Sequence, residues 1–204
     1  MRAIFGADPR TSGDIYIKGK KVEINKPIDA IEKGISLVPE DRKGQGVSLT
    51  MSIRENISLV CLKQICQAGR VNLKKDREWS EKYIKALEIK TPTMEQKVKN
   101  LSGGNQQKVA IAKWLVTNSD IIILDEPTRG IDVGAKQEIY LLMNQLIEQG
   151  KSLIMISSEM PELLGMSDRI LVMHEGTITG EVSRQEATQQ LILEYASGGK
   201  MSEV

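Results

Sequence analysis

The strongest constraint on the fold is an apolar segment, Ile121–Leu124, that runs directly into two adjacent carboxylates, Asp125 and Glu126. Upstream of it, residues 101–108 have the sequence Leu-Ser-Gly-Gly-Asn-Gln-Gln-Lys. A serine and two glycines that open a helix leave unpaired N–H groups at the positive end of the helix dipole, which favours a phosphate. A strand that ends on carboxylates suits the coordination of Mg²⁺ and the orientation of an attacking water. The two segments together indicate a nucleotide-driven α/β protein.

Each segment alone has a simpler interpretation. A Ser-Gly-Gly sequence is commonly just a helix cap with a flexible turn, and Asp-Glu-Pro after an apolar strand is commonly an exposed turn. Their order and spacing, with Thr-Arg-Gly-Ile-Asp continuing through residues 128–132, make coincidence a poor explanation. These residues resemble the signature motif, the Walker B motif and the D-loop of the ATP-binding cassette (ABC) ATPases.

The particular residues in the motifs indicate one subfamily. Residues 105–108 in the signature and residues 129–135 in the D-loop are similar to the second cassette of the two-cassette ATP-binding subunits of bacterial monosaccharide importers of the ribose, xylose and galactoside type. The segments that agree further are residues 38–43, 156–163 and 167–173, and residues 90–96 and 185–189 look most like the ribose member. The resemblance covers essentially the whole chain.

The resemblance implies a head-to-tail dimer of cassettes that uses ATP and Mg²⁺. Ser102, Gly103, Gly104 and Asn105 would then act in trans, on the γ-phosphate of an ATP held by the other cassette. In the cis site, Asp125 would hold Mg²⁺ and Glu126 would be the catalytic base. The residues at or beside the nucleotide sites would also include three others, namely Asp132 at the cassette interface, Glu40 and Ser158.

The implied partners follow from the same resemblance. They are the N-terminal cassette of the same subunit or a second ATPase subunit, a membrane permease and, indirectly, a periplasmic or lipid-anchored sugar-binding protein. The expected location is the cytoplasmic face of the bacterial cell membrane, as a peripheral component. The formal net charge is +1 without a basic block, which argues against a nucleic-acid partner. No apolar run approaches the roughly 20 residues needed to span a bilayer.

Two departures from the wider family predict a weakened cis site. Glu40 stands where the family places a glutamine, and we expect its charge to raise the pKa of the nearby carboxyl groups. Ser157 and Ser158 stand where the family places a histidine, and a serine cannot carry positive charge at neutral pH. We therefore expect Glu126 to be a slow or non-catalytic base.

The family's glycine-rich loop, G-x-x-x-x-G-K-[ST], does not occur in this sequence. We therefore expect an N-terminally truncated cassette that is inactive alone. Loss of the strand before the loop should leave the strands ending at Ser157 and His174 with open, aggregation-prone edges. An alternative is a non-enzymatic cassette that docks on another ABC subunit. A cassette acting on DNA or ribosomes is disfavoured by the short insert over residues 45–99.

Patterning predicts a P-loop NTPase-like α/β core with a mostly parallel sheet and an inserted helical subdomain. We expect one domain over residues 1–204, with the core in 1–48 and 119–204 and the helical signature subdomain in about 49–118. The predicted elements before residue 118 are a hairpin (14–24), a helix (27–33), a strand (35–38) and then helices only. The first of these helices has a capping box at Ser52–Glu55 and runs to about Gln67. The predicted later elements are strands (121–125, 152–157, 169–174), a helix capped by Asp132, a hairpin through 175–176 and a last helix (184–196), followed by a frayed tail (197–204).

Four side chains carry separate expectations. Cys61 and Cys66 would lie on one helix as reduced packing residues, because their spacing suits neither a zinc pair nor a redox pair. His174 would be a surface histidine next to a turn. Whether Lys108 touches nucleotide or is an ordinary solvated charge is left open by the sequence.

Overall fold

The computed structural model describes residues 1–67 and 69–199, and the chain divides into one compact unit, Met1–Ile156, and a second that begins at Ser157. Residues 200–204 of the predicted frayed tail lie outside the described residues. The elements of the first unit are β1 Ile15–Ile17, β2 Lys20–Val22, α1 Pro27–Glu32, β3 Ile35–Val38, α2 Ile53–Ser58, α3 Leu62–Ile65, β4 Cys66–Gln67, β5 Arg70–Val71, α4 Leu73–Ala86, α5 Gly103–Leu115, β6 Ile121–Asp125, α6 Val133–Glu148 and β7 Ser152–Ile156.

The core of the first unit is a parallel three-stranded sheet in the order β3-β6-β7. The central strand β6 buries Ile122, Ile123 and Leu124 almost completely. A parallel strand covered on both faces has a mostly apolar sequence, which is why β6 and β3, apolar except for the buried Ser36, were recognisable from sequence. The predicted α/β core with a parallel sheet and the predicted hairpin β1–β2 are confirmed.

Helices α2, α4 and α5 follow β3 and precede β6 in the sequence, and they pack against one another. The predicted capping box opens α2, where Glu55 N donates to Ser52 Oγ at 3.2 Å and Ser52 N donates to Glu55 Oε2 at 2.7 Å. These two bonds satisfy N–H groups at the helix start that would otherwise lack partners.

The prediction of helices only in this region is wrong. The expected single helix over 52–67 is divided into α2, a 3₁₀ turn at Leu59–Cys61 and α3, and the short antiparallel hairpin β4–β5 follows. Gly69 adopts a φ of +76° just before β5, so this glycine serves a hairpin rather than a helix end. Cys61 therefore ends the 3₁₀ turn and Cys66 lies in β4, rather than both lying on one helix as predicted, and both cysteines are free.

The second unit consists of α7 Met160–Met166, β8 Arg169–His174, β9 Thr177–Ser183 and α8 Gln189–Ala196. Strands β8 and β9 form the predicted antiparallel hairpin, and Ile170 and Val172 pack with Ile192 of α8 in its core. The last helix begins at Gln189 rather than Arg184, because Thr188 Oγ1 caps it by accepting from Leu191 N at 3.2 Å. The prediction of a single domain over residues 1–204 stays a prediction.

Across residues 1–67 and 69–199, no helix combines the length and the apolar character that crossing a membrane requires.

Candidate functional site

The start of α5 carries the first predicted group of site residues. Ser102 is the exposed N-cap of the helix, and its Oγ accepts from Asn105 N at 3.4 Å and from Asn105 Nδ2 at 2.9 Å. Gly103 and Gly104 form the first turn, so their N–H groups lie at the positive end of the helix dipole. A helix start of this kind can receive an anion.

This helix start packs closely against the beginning of α6. A Cβ built on Gly104 would lie only 2.5 Å from Ala135 Cβ, and one built on Gly103 would lie 3.3 Å from the carbonyl oxygen of Gly130. A side chain at position 104 therefore cannot be accommodated without movement, which explains the glycine. Asp132 begins α6 as predicted, because its Oδ1 accepts from Ala135 N at 2.9 Å.

The two carboxylates predicted for the cis site stand at the end of β6. Glu126 has a φ of +47°, a left-handed conformation that is uncommon for a residue with a side chain. Its N–H donates to the Ile156 carbonyl oxygen at 2.9 Å, and its own carbonyl accepts from Arg129 N at 3.2 Å. These bonds fix the backbone where the chain leaves the sheet, and such conformations are frequent at functional sites.

Asp125 is half-buried, and burial raises the pKa of its carboxyl group. The adjacent Glu126 carboxylate raises the pKa further, whereas the Met1 amino group and Arg2 lower it. No group of three His, Cys, Asp or Glu side chains within residues 1–67 and 69–199 could hold a metal ion. One or two carboxylates still suit Mg²⁺, because this ion keeps several waters and is commonly bound together with substrate phosphates.

Glu40 follows β3 and forms an ion pair with Arg129, a short contact between Glu40 Oε1 and Arg129 Nη1. The expectation that Glu40 raises the pKa of the nearby carboxyl groups is not met for Asp125, whose shift arises from burial and from Glu126. The guanidinium of Arg129 balances the charge of Glu40 instead. These two residues line an open cleft of about 330 Å³ together with Asp41, Arg42 and Lys43.

Ser158 is exposed and belongs to the second compact unit, before α7. In that unit, Ser157 Oγ hydrogen-bonds to a carboxylate oxygen of Glu162, and Glu159 N donates to Ser157 Oγ at 3.0 Å. The other predicted site residues lie in the first unit, divided between the starts of α5 and α6 and the ends of β3 and β6.

Two basic residues were missing from the predicted set of site residues. Arg42 Nη2 would lie 3.5 Å from a Cβ built on Gly103, so this guanidinium stands beside the start of α5. Arg129 pairs with Glu40 across 89 positions of sequence. Both residues were inside segments that the motifs already singled out, residues 38–43 and 129–135, but nothing in the sequence indicated their contacts.

Lys108 has a structural role within α5. Its side chain is 4% exposed, and its Nζ pairs with Glu138 Oε2 at 2.9 Å and donates to the Glu88 carbonyl oxygen at 3.1 Å. The sequence left open whether Lys108 is an ordinary solvated charge, and its buried ammonium, paired with the partly exposed Glu138, shows that it is not.

The family model described as "ABC transporter" matches residues 1–129. The chain is 54% identical over 200 residues to the ribose import ATP-binding protein RbsA of Bacillus licheniformis, covering 98% of this chain and 41% of that protein. It is 56% identical over 199 residues to the xylose import ATP-binding protein XylG of Thermoanaerobacter pseudethanolicus, covering 97% and 39%. The chain thus spans about two fifths of the length of the curated relatives it matches.

Solved structures with this fold include a dimeric post-hydrolysis state of the ATP-binding cassette MJ0796 bound to ADP and Pi. The TM-score is 0.74 at 24% identity, and the match covers 90% of this chain and 78% of that one. A nucleotide-free ATP-binding cassette from an ABC transporter matches with a TM-score of 0.76 at 22% identity, over 95% and 80%. The predicted ABC cassette fold is confirmed, and the chain belongs to the ABC transporter family.

Proposed function

We propose that this chain is part of the ATP-hydrolysing subunit that powers sugar import through an ABC transporter. The observation that carries the proposal is the close packing of a phosphate-favouring helix start, Ser102–Gly104, against the beginning of α6, which follows the Asp125–Glu126 pair in sequence. The sugar as substrate class rests on the ribose and xylose import functions in the names of the relatives.

In this proposal, the start of α5 acts on a nucleotide bound by a partner cassette. The N–H groups of Gly103 and Gly104 and the Ser102 hydroxyl clamp its γ-phosphate, and Asn105 completes the same helix start. Positive charge from Arg42 beside Gly103 would further favour the anion. Asp132 caps α6 at the cassette interface and couples the two sites.

In the cis site, Glu126 would orient or deprotonate the attacking water. Mg²⁺ that accompanies ATP would be held by Asp125 and would supply charge neutralisation at the phosphates. The Glu40–Arg129 pair stands at the end of the neighbouring strand β3. The resemblance to the family also assigns Ser158 to the residues that contact nucleotide. Glu126 would be a slow base, because a serine at position 158 cannot supply the positive charge of an imidazole.

The assembly we propose joins this chain to an N-terminal cassette of the same subunit or to a second ATPase subunit. A membrane permease would be the transport partner at the cytoplasmic face, and a sugar-binding protein would act indirectly. Because this chain contains no glycine-rich loop, we expect the chain by itself to bind ATP weakly and to hydrolyse little of it.

The test compares two substitutions in the full-length subunit assembled with its permease. Ser102→Arg places a long cation at the start of α5 and should abolish ATP turnover. Glu126→Gln should reduce turnover less, because Glu126 belongs to the weaker site. If Glu126→Gln abolishes turnover and Ser102→Arg does not, the assignment of the two sites is wrong.

A further inference from the structure

We propose that Asn105 is a positioning residue that makes the Ser102 hydroxyl a dedicated hydrogen-bond donor toward phosphate. The inference rests on the proposed function of Ser102. It assigns to the Asn105 side chain a role through Ser102 rather than a direct contact with nucleotide.

The orientation of the Asn105 amide is fixed by its neighbour in the preceding loop. Lys90 N lies 2.8 Å from Asn105 Oδ1, and a main-chain N–H can only donate a hydrogen bond. The amide oxygen must therefore face Lys90, which turns the Nδ2 group toward Ser102 Oγ at 2.9 Å. The donor in the contact between Asn105 and Ser102 is thus the amide, and Ser102 accepts.

The hydrogen-bonding capacity of Ser102 is then almost fully used. A hydroxyl group has two acceptor positions and one donor position. Asn105 supplies both donors to Ser102 Oγ, the amide Nδ2 at 2.9 Å and the main-chain N at 3.4 Å. Within the described part of the chain, the hydroxyl proton has no acceptor, and Ser102 is exposed. The proton is available to an acceptor from outside, and a phosphate oxygen has that chemistry.

The loop that orients Asn105 is itself held in place. Lys108 Nζ donates to the Glu88 carbonyl oxygen at 3.1 Å, and Glu138 Oε2 pairs with the same ammonium at 2.9 Å. Ile89 is 5% exposed, so the residue between Glu88 and Lys90 is anchored in the core. The chain of contacts therefore runs from α6 through Lys108 and the loop to Asn105 and ends at the Ser102 hydroxyl.

The experiment is a double-mutant cycle on ATP turnover by the full-length subunit assembled with its permease. Asn105→Ala is measured in the wild-type background and in a Ser102→Gly background. Glycine is chosen because it removes the hydroxyl while remaining an acceptable N-cap residue. In the wild-type background, Asn105→Ala should lower kcat/KM for ATP by about ten- to hundredfold, the value of a hydrogen bond to a charged group.

In the Ser102→Gly background the same substitution should change kcat/KM less than about twofold, because the hydroxyl that Asn105 orients is already absent. Asn105→Ala removes the hydrogen bond from Lys90 N in both backgrounds, so it should lower the melting temperature in both, and lost stability then cannot explain a loss of turnover confined to the wild-type background. An equal loss in both backgrounds, or no loss in either, would overturn the inference.

The isosteric variant Asn105→Asp tests the inference without removing the side chain at position 105. Its carboxylate can still accept from Lys90 N but can only accept from Ser102, so the hydroxyl proton turns inward and away from phosphate. Turnover by Asn105→Asp should fall below that of Asn105→Ala, and turnover equal to wild type would contradict the inference. If Ser102→Arg leaves ATP turnover intact, the proposed function itself fails, which is a different outcome.

Discussion

At the scale of single residues, the contact between Gly104 and Ala135 offers the sharpest test of packing. A Cβ at position 104 would lie 2.5 Å from Ala135 Cβ, so Gly104→Ala should destabilise the chain by about 1–3 kcal/mol through overpacking. Ala135→Gly alone should cost about 1 kcal/mol, because glycine is a poor helix former. The double variant removes the clash and should be more stable than the sum of the two losses predicts.

Urea unfolding of the four proteins measures this coupling. Gly134→Ala is the matched control, since a Cβ there meets only Asp132 Oδ1, at 3.3 Å, and no atom of α5. Strictly additive losses in the double variant would show that helices α5 and α6 do not depend on this contact.

The charge of Asp125 should reduce stability at neutral pH. Burial raises the pKa of its carboxyl group above the value of 3.8 expected for an unfolded chain. Between 3.8 and the raised pKa the folded state binds more protons, so the free energy of unfolding falls as the pH rises through this window. Asp125→Asn should therefore increase the free energy of unfolding at pH 7, and the increase should shrink as the pH is lowered.

Asp120 is the matched control because it directly precedes the strand that Asp125 ends. Its pKa is lowered by Lys18, whose Nζ lies 2.7 Å from Asp120 Oδ2, so its charge favours the folded state. Asp120→Asn should decrease the free energy of unfolding at pH 7. Urea unfolding from pH 7 to pH 4 measures both variants, and shifts of the same sign would contradict the expected effect of burial at Asp125.

Residues whose function depends on local sequence were predictable, whereas residues whose function depends on distant contacts were not. Ser52, Ser102 and Asp132 cap helices as expected, because a cap needs only the next three residues. Arg129 and Lys108 were not recognised, because their partners Glu40 and Glu138 lie far away in sequence. Charge patterning along one chain cannot select such partners.

At the scale of secondary-structure elements, the ion pairs of Arg54 connect α2 to α4 and to the loop before α5. Arg54 contacts Asp76 and lies 2.8 Å from Glu95 Oε1, and the hydrogen bond from Arg54 lowers the pKa of the Glu95 carboxyl group. Asp76 has a side chain that is only 1% exposed. Arg54→Met should destabilise the chain by about 3–5 kcal/mol, because it leaves a buried carboxylate without its cation.

The double variant Arg54→Met/Asp76→Leu distinguishes the loss of the ion pair itself from the effect of leaving the Asp76 carboxylate buried without a cation. Replacing both charges by apolar side chains should recover most of the stability, since buried ion pairs contribute little relative to packed apolar groups. The midpoint of urea unfolding at constant slope gives the comparison. If the double variant is as unstable as Arg54→Met, the uncompensated charge of Asp76 is not the cause.

Elements with one clear signal were predicted with nearly correct bounds. Strands β3 and β6 are short, mostly apolar segments between turns. Helix α6 has a cap, an apolar face and Gly150, with a φ of +80°, after its end. The segment from Leu59 to Val71 was predicted incorrectly, because short apolar stretches suit a helix and a strand equally well. Contacts within the helical region decide between them.

At the scale of the whole molecule, the order of the strands was the least predictable property. Local pattern predicted strands over residues 152–157 and 169–174, and the structure has strands at Ser152–Ile156 and Arg169–His174. Pattern alone did not indicate that β7 pairs in parallel with β6 whereas β8 pairs only antiparallel with β9, as far as the described residues show. Strand pairing depends on contacts between residues distant in sequence.

Exposed apolar strand residues suggest how the chain by itself behaves in solution. In the hairpin β8–β9, Leu171, Met173 and Ile178 are exposed, whereas Ile170 and Val172 on the alternate positions are buried against α8. Strands with exposed apolar surface and open edges pair readily with other copies. We expect the chain by itself to self-associate as its concentration is raised.

The double substitution Leu171→Lys/Met173→Lys should shift the chain toward the monomer, because charged side chains on a strand oppose pairing with another copy. Leu141→Lys on α6 is the control: Leu141 is 62% exposed and equally apolar, but it lies on a helix and should leave self-association unchanged. Size-exclusion chromatography with light scattering over a concentration series measures the mass of each variant. A wild-type chain that stays monomeric throughout, or a control as effective as the strand variant, would mean that these strands do not drive association.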